Sequence, residues 1–229
     1  MMCDRSCIQF AKLNIKEEEV KGKSVIEVGS LDVNGSVRPI VEAFTPSCYV
    51  GVDIQMGPGV DEICDANKLL ERFGPNSFEV LISTELLEHV RNWRRVISNF
   101  KSILTPSGVL LISTRSRGFV YHGYPFDYWR FEISDMEKIF TDFRIEKIEK
   151  DIMLPGLLLK AVKPTCFIEN DTKDIHIYSV IKGCKIKEIN DIDILWFRIR
   201  HEISTILLRI LPTSIKNFIK RCYKIHSPL

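Results

Sequence analysis

The sequence predicts an α/β protein built on a doubly wound, mainly parallel sheet with helices on both faces. From Ser24 onward, short β-branched runs bounded by turn residues alternate with stretches whose apolar residues recur every three to four positions. The 229 residues, 45% of them hydrophobic, suffice for one good-sized core and a small appendage, so one principal domain is expected.

The strand runs are SVIEV, CYVGVD, FEVLIS, GVLLIST, FRIEKIE and LLLKAV. Between them GSVRPIVEAF, ANKLLERF, WRRVISNFKSIL and SDMEKIF carry the apolar spacing of helices that cover a sheet. The pattern ends at Lys163-Pro164 and divides the chain into a helical lead-in over 1–20, the main domain over 21–164, an irregular polar extension over 165–193 with weak strand candidates in DIHIYSVI, and a tail over 194–229. The tail holds seven arginines and lysines against one acid, Glu202. Trp196, Ile199, Ile203, Ile206, Leu207 and Ile210 recur at helical spacing until Pro212 interrupts them, so the tail reads as a basic amphipathic helical segment.

Composition excludes several classes. A net charge of +2 provides no broad basic field for a phosphate backbone, and no nucleic-acid partner is expected. Seven cysteines, an odd number without a CxxC pair, argue against a disulfide framework and a zinc site; no metal is expected, and a reducing cytoplasm fits best. The first twenty residues have no long apolar run after a basic segment, so neither a signal peptide nor a membrane span is indicated.

The ends of successive strands carry the candidate cofactor site. The first strand runs through Glu27 into a turn at Gly29 and Ser30, and Gly35 and Ser36 open the next helix. A glycine-rich turn brings backbone N–H groups close to a ligand, but this spacing is not the dinucleotide G-x-G-x-x-G. The second strand ends in Asp53-Ile54, at the distance where a carboxylate accepts hydrogen bonds from the two hydroxyls of a ribose. Asp65-Ala66 follows the third strand, and Ser83, Thr84 and Glu85 close the fourth.

In order and spacing, Glu27-Val28-Gly29, Asp53, Asp65-Ala66, the run Ser83 to His89 (STELLEH) and the run Leu104 to Gly108 (LTPSG) resemble successive motifs of class I S-adenosylmethionine-dependent methyltransferases, over roughly residues 20–163. The closest likeness is to the small-molecule branch with an LEHV segment, similar to methyltransferases of surface-glycan pathways. The resemblance implies a Rossmann-like sheet of about seven strands, the last antiparallel, and S-adenosyl-L-methionine as cofactor. It assigns Glu27 to the methionine amino group, Gly29 to close backbone passage, Asp53 to the ribose hydroxyls, Asp65 to the adenine amino group and Ala66 to the base, with Ser30, Ile54, Thr84 and Glu85 lining the same site. The chain departs from the family pattern E-x-G-x-G-x-G, having EVGSLDVNG, so Asp32 or Asn34 is expected to replace some backbone contacts.

Beyond the fifth strand lies RSRGFVYHGYPFDYWRF, with seven aromatics between Phe119 and Phe131. A loop at the carboxyl edge of such a sheet is where an acceptor approaches the cofactor. Tyr121, Tyr124, Tyr128 and Trp129 with Asp127, Arg115 and Arg130 suit a polyhydroxylated acceptor, although about half the rings are expected only to pack the loop. His122 is the first candidate for the catalytic base and His89 the second. A carboxylate acceptor would need no base, only an arginine among Arg115, Arg117 and Arg130.

These readings converge on a methyltransferase that modifies a sugar hydroxyl or uronic acid carboxylate in a glycan or glycolipid precursor. The alternatives are a methyltransferase for a diffusible metabolite of quinone or polyketide type and a non-catalytic cofactor-binding scaffold. The tail is expected either to touch an anionic membrane surface peripherally, at its inner face, or to dock on protein.

Overall fold

The computed structural model describes residues 5–123 and 126–210, with the backbone alone given for 204–210. The lead-in forms α1 (Arg5–Asn14) and the short α2 (Glu17–Val20). Cys7, Phe10 and Ala11, spaced to share one face of α1, are buried with Val25, Val80, Ile82 and Leu111 of the sheet. Lys160 Nζ then donates to Asn14 O at 2.8 Å and to Glu19 Oε1 at 2.6 Å, so the lead-in is part of the main domain.

The remaining elements follow as β1 (Ser24–Val28), α3 (Arg38–Glu42), β2 (Cys48–Asp53), β3 (Glu62–Ile63), α4 (Leu69–Phe73), β4 (Phe78–Thr84), α5 (Trp93–Ile103), β5 (Leu104–Arg115), β6 (Trp129–Arg130), α6 (Ile133–Ile139), β7 (Arg144–Lys150), β8 (Gly156–Val162), β9 (Ile177–Ser179), β10 (Cys184–Ile186) and α7 (Asp191–Ile210). Seven strands form one sheet in the order β3-β2-β1-β4-β5-β8-β7. β8, last of the seven in the chain, runs antiparallel to β5 and β7, as the resemblance implies. The order reverses between β1 and β4, and a crevice outside the carboxyl ends of strands at such a point is where open α/β sheets bind ligands.

The main core joins β1, β4, β5 and β8 to α5 and α6 through Ile26, Leu81, Leu110, Phe100 and Met136. The helix expected across GSVRPIVEAF is confined to five residues. Gly35 adopts a positive φ of 129° and donates its N–H to Asp32 Oδ1 at 2.8 Å, and the helix begins beside Pro39.

The extension over 165–193 is more ordered than its polar sequence implies. β9 and β10 form a hairpin, and β9 pairs antiparallel with β6, making a second, three-stranded sheet. The Arg94 guanidinium fastens this segment to α5 by donating to Thr172 O, Lys187 O and Ile175 O at 3.0, 2.6 and 2.6 Å. α7 starts at Asp191 rather than 194, because Asn190 caps it by accepting the Asp193 N–H at 2.8 Å. Pro212 and the rest of the expected tail lie outside the described residues. Among the described residues no helix is long and apolar enough to cross a membrane.

Candidate active site

The first two strands bring Glu27, Gly29, Ser30 and Asp53 to the reversal point. Gly29 has φ of +81°, and a Cβ there would stand 3.2 Å from the Leu86 side chain, so glycine is required for the chain to leave β1 in this direction. The N–H groups of Gly29 and Ser30 both donate to Val52 O, at 2.9 and 3.1 Å, which holds the turn against β2. Asp53 is buried, and its two oxygens accept from Leu31 N at 3.4 Å and Gln55 N at 3.2 Å. Ile54, beside it, is 64% exposed.

Glu27 is buried in β1, and the Tyr49 hydroxyl donates to its Oε2 at 2.6 Å. Burial pushes its carboxyl up to about 7, against the pull of the Tyr49 hydrogen bond and of Arg38.

The sequence reading missed the loop that follows Asp53. A Cβ on Gly51 would lie 2.2 Å from Gly59 O, and one on Gly59 only 2.5 Å from Ser30 O, so loop and turn pack backbone on backbone. Asp61 secures the loop by accepting Gly51 N at 2.7 Å and pairing with Arg38 at 2.8 Å, while Asp32 N donates to Pro58 O. The signal was Gly57-Pro58-Gly59, two glycines around a proline shortly after a strand end.

Asp65 is exposed and caps the short turn Ala66–Lys68, accepting from Asn67 N at 2.8 Å and Asn67 Nδ2 at 2.9 Å; Ala66 is buried beside it. Thr84 is buried at the end of β4. Glu85 departs from the expectation that it lines the cofactor crevice. At positive φ, 56°, its side chain enters the interior, accepts from Ser113 Oγ at 2.9 Å and pairs with Arg115. Burial, with the neighbouring Glu88 carboxylate, raises its carboxyl well above the ordinary value.

The loop beyond β5 is pinned from within. Arg115 is fully buried, paired with Glu85 and Asp151, with the Phe119 ring 4.3 Å from its guanidinium carbon. Arg130 is 2% exposed; it pairs with both oxygens of the buried Asp127 and donates to Val120 O at 3.1 Å. Trp129 sits in the core with its indole N–H near Val90 O and Arg91 O. Tyr128 is buried and stacks on Phe126. The expectation that Arg115, Asp127, Tyr128, Trp129 and Arg130 present themselves to an acceptor is therefore corrected: they fix the loop, because the charges of Arg115, Asp127 and Arg130 and the Trp129 indole have internal partners and the Tyr128 ring is buried against Phe126. Tyr124 lies outside the described residues. Tyr121 is half-buried, its ring 5.3 Å from Phe197 and 5.9 Å from His201 of α7.

Both candidate bases come together. The His89 and His122 rings meet edge to face at 4.7 Å. His122 Nδ1 lies 2.9 Å from Asp127 Oδ2, and its Nε2 lies 3.7 Å from Glu88 Oε1. Burial works against the imidazolium, but the two carboxylates overcome it and raise the His122 pKa above the ordinary value. Glu88 was visible in the sequence only as part of a motif; it is fully buried and accepts from Thr114 Oγ1 at 2.9 Å.

A family model described as a methyltransferase domain matches residues 6–150, more than half of the chain. The chain belongs to this methyltransferase family. The match starts within α1, in agreement with the packing of that helix on the sheet. No curated protein sequence matches the methyltransferase significantly. Among solved structures, it is similar to an S-adenosylmethionine-dependent methyltransferase from Mesorhizobium loti, at 19% identity over 63% of this chain and 93% of that one, with a TM-score of 0.50. It also resembles the 1,6-didemethyltoxoflavin-N1-methyltransferase of Burkholderia thailandensis, solved with its acceptor and S-adenosylhomocysteine, at 14% identity over 70% and 80% of the two chains and a TM-score of 0.57. A third likeness is to the Haemonchus contortus phosphoethanolamine N-methyltransferase 2 in complex with S-adenosyl-L-methionine, at 17% identity over 70% of this methyltransferase and 52% of that chain, with a TM-score of 0.52. At these identities the likeness establishes the shared fold.

Proposed function

We propose that this methyltransferase takes its methyl group from S-adenosyl-L-methionine and delivers it to a hydroxyl of a polyhydroxylated acceptor, a sugar of a glycan or glycolipid precursor. The residues at the first strand ends fit the cofactor. Asp53 keeps lone pairs for two ribose hydroxyls beyond its two backbone bonds, Ser30 Oγ is buried with no hydrogen-bond partner, and exposed Ile54 offers an apolar face beside them. Glu27 would meet the amino group, Gly29 would let the backbone pass close, and Asp65, Ala66 and Thr84 would border the base and the methyl-bearing end. When bound, the cofactor supplies an electrophilic methyl; the acceptor oxygen bonds to its carbon as the carbon–sulfur electron pair returns to sulfur.

The single observation that carries the hydroxyl reading is the pairing of His89 and His122 beside Glu88, with Arg115 and Arg130 committed to carboxylates of the chain itself and exposed Arg117 lying over the Tyr178 ring. A uronic acid carboxylate needs a free guanidinium, whereas a hydroxyl needs somewhere for its proton, and the His122 Nε2 position provides it. Half-buried Phe119, its ring 4.8 Å from that of His122, and half-buried Phe126, whose carbonyl meets His89, support an acceptor with C–H faces. The glycan pathway itself rests on family likeness. The test is calorimetric titration with S-adenosylhomocysteine, followed by a methylation screen of sugar, phenol and amine acceptors. Micromolar binding lost in Asp53→Ala is expected, with turnover only on hydroxyl acceptors; folded protein that binds nothing would overturn the reading.

The exposed Ile192, Leu195, Trp196 and Ile203 on α7, together with the basic residues that follow, favour a second contact, with an anionic membrane surface. Sedimentation with anionic vesicles is expected to capture the full chain and to fail for a Leu195→Glu/Trp196→Glu variant.

A further inference from the structure

We propose that Glu88, His89 and His122 hold a divalent transition-metal ion at the acceptor end of the crevice. The inference rests on the hydroxyl-acceptor reading and says how that hydroxyl is activated. One donor atom from each residue falls within 4.8 Å of the others. In each imidazole Nδ1 faces an oxygen of the chain: His89 Nδ1 is hydrogen-bonded to Phe126 O at 2.7 Å, and His122 Nδ1 lies 2.9 Å from Asp127 Oδ2 as an ion-pair neighbour, without hydrogen-bond geometry. A hydrogen on Nδ1 donated to a carbonyl or a carboxylate is how proteins orient metal-binding histidines, and it leaves Nε2 as the coordinating atom.

Glu88 supplies the independent observation. Thr114 holds one carboxylate oxygen, while the other, Oε1, is completely buried and has no hydrogen-bond partner. It lies 3.7 Å from His122 Nε2, too far for a hydrogen bond and close to the spacing of two ligands on one ion. A buried carboxylate oxygen without a hydrogen bond is costly, and a cation bound there removes the cost. Ligands about 2.1 Å from a common ion lie roughly 3–3.5 Å apart, so the cluster closes by about an ångström on binding, a motion within the reach of side-chain rotation.

Two imidazoles and one carboxylate suit manganese, iron, cobalt or zinc better than magnesium. Three protein ligands leave positions open for the acceptor. A hydroxyl oxygen that coordinates the ion loses its proton to solvent far more readily than a free one and becomes the nucleophile at neutral pH. With the ion bound, His122 Nε2 is a ligand and no longer accepts the proton, which leaves to solvent, and a vicinal diol, as in a sugar, fills two open positions at once.

The experiment titrates chelator-treated full-length protein with Co2+, followed by visible d–d absorption and by the melting temperature, with S-adenosylhomocysteine binding measured on the same preparation. One equivalent of Co2+ is expected to give d–d bands and raise the melting temperature. His122→Ala and Glu88→Gln are expected to weaken this at least tenfold; His89→Ala serves as a third variant should either fail to fold. If the wild type binds S-adenosylhomocysteine but not Co2+, Mn2+ or Zn2+, the metal site is wrong and the cofactor reading stands. If it binds the ion but not S-adenosylhomocysteine, the cofactor reading fails instead. Co2+ binding unchanged in folded variants places the ion elsewhere and overturns the proposal.

Discussion

Glu27 connects the stability of this protein to its proposed cofactor. Its carboxyl is pushed from 4.5 to about 7 by burial in β1, even though Tyr49 donates to it at 2.6 Å. Because the folded-state pKa lies above the unfolded one, the folded chain binds more protons between these values, so stability falls as pH rises through that window and levels off above about 7. The difference corresponds to about 3 kcal/mol. Glu27→Gln keeps an acceptor for the Tyr49 hydroxyl and removes the ionisation. In urea unfolding it should therefore exceed the wild type by about 3 kcal/mol at pH 8 and match it near pH 4.5. The same substitution should weaken S-adenosylhomocysteine binding, because an ammonium opposite Glu27 needs the carboxylate. In the wild type, binding at pH 7 should release about half a proton, read by calorimetry in buffers of different ionisation enthalpy, and the glutamine variant should release none. A variant no more stable than the wild type at pH 8 would refute the claim that Glu27 is ionised at a desolvation cost.

Other consequences follow from the same geometry. Arg130→Ala strands the buried Asp127 carboxylate and frees Val120 O, and should cost about 3–5 kcal/mol in urea unfolding; lysine should not restore it, since a point charge cannot grip both oxygens. Gly59→Ala places a Cβ 2.5 Å from Ser30 O at a φ of +82° and should weaken S-adenosylhomocysteine binding at least tenfold in calorimetry while the chain remains folded. Arg94→Ala removes four carbonyl contacts from the 165–193 segment, and hydrogen exchange should then accelerate at Ile177–Ser179 while the amides of β4 and β5 keep their protection.

The main sheet was legible in the sequence because its signals are local and repeated. Each β-branched run is flanked by turn residues, and the acids that matter sit where a run ends, as Glu27 and Asp53 do. The fine structure of the acceptor loop was not legible, for a physical reason. An arginine or aspartate facing a ligand and one buried in an ion pair have the same letters, and only the long-range partners, Asp151 for Arg115 and the carbonyls of residues 119 and 120 for Arg130, decide between them. Glu88 was hidden in the same way, since its surroundings come from Thr114 on another strand and His122 on the loop. Of the hairpin in 165–193, only β9 was foreshadowed, by the weak strand candidate DIHIYSVI; β10 and the pairing with β6 escaped because these strands are three and two residues long, too short for a period to register.

That hairpin bears on how the site works as a unit. β9 pairs with β6 at Trp129↔Ser179 and Arg130↔Tyr178, and the chain then runs directly into α7, whose Phe197 and His201 lie against Tyr121 and whose Arg198 guanidinium carbon stands 4.5 Å from the centre of the Phe126 ring. The acceptor loop is thus held on its sheet side by Arg130 and Asp127 and on its outer side by a helix that the family match does not include, since that match ends at residue 150. The part of the chain shared with the family therefore carries β1 to β7 and the loop itself, while β8 and α7 lie beyond it. Under the proposed function the contact between the loop and α7 would select the acceptor, and a change at Phe197 should then alter which acceptor is taken without altering cofactor affinity.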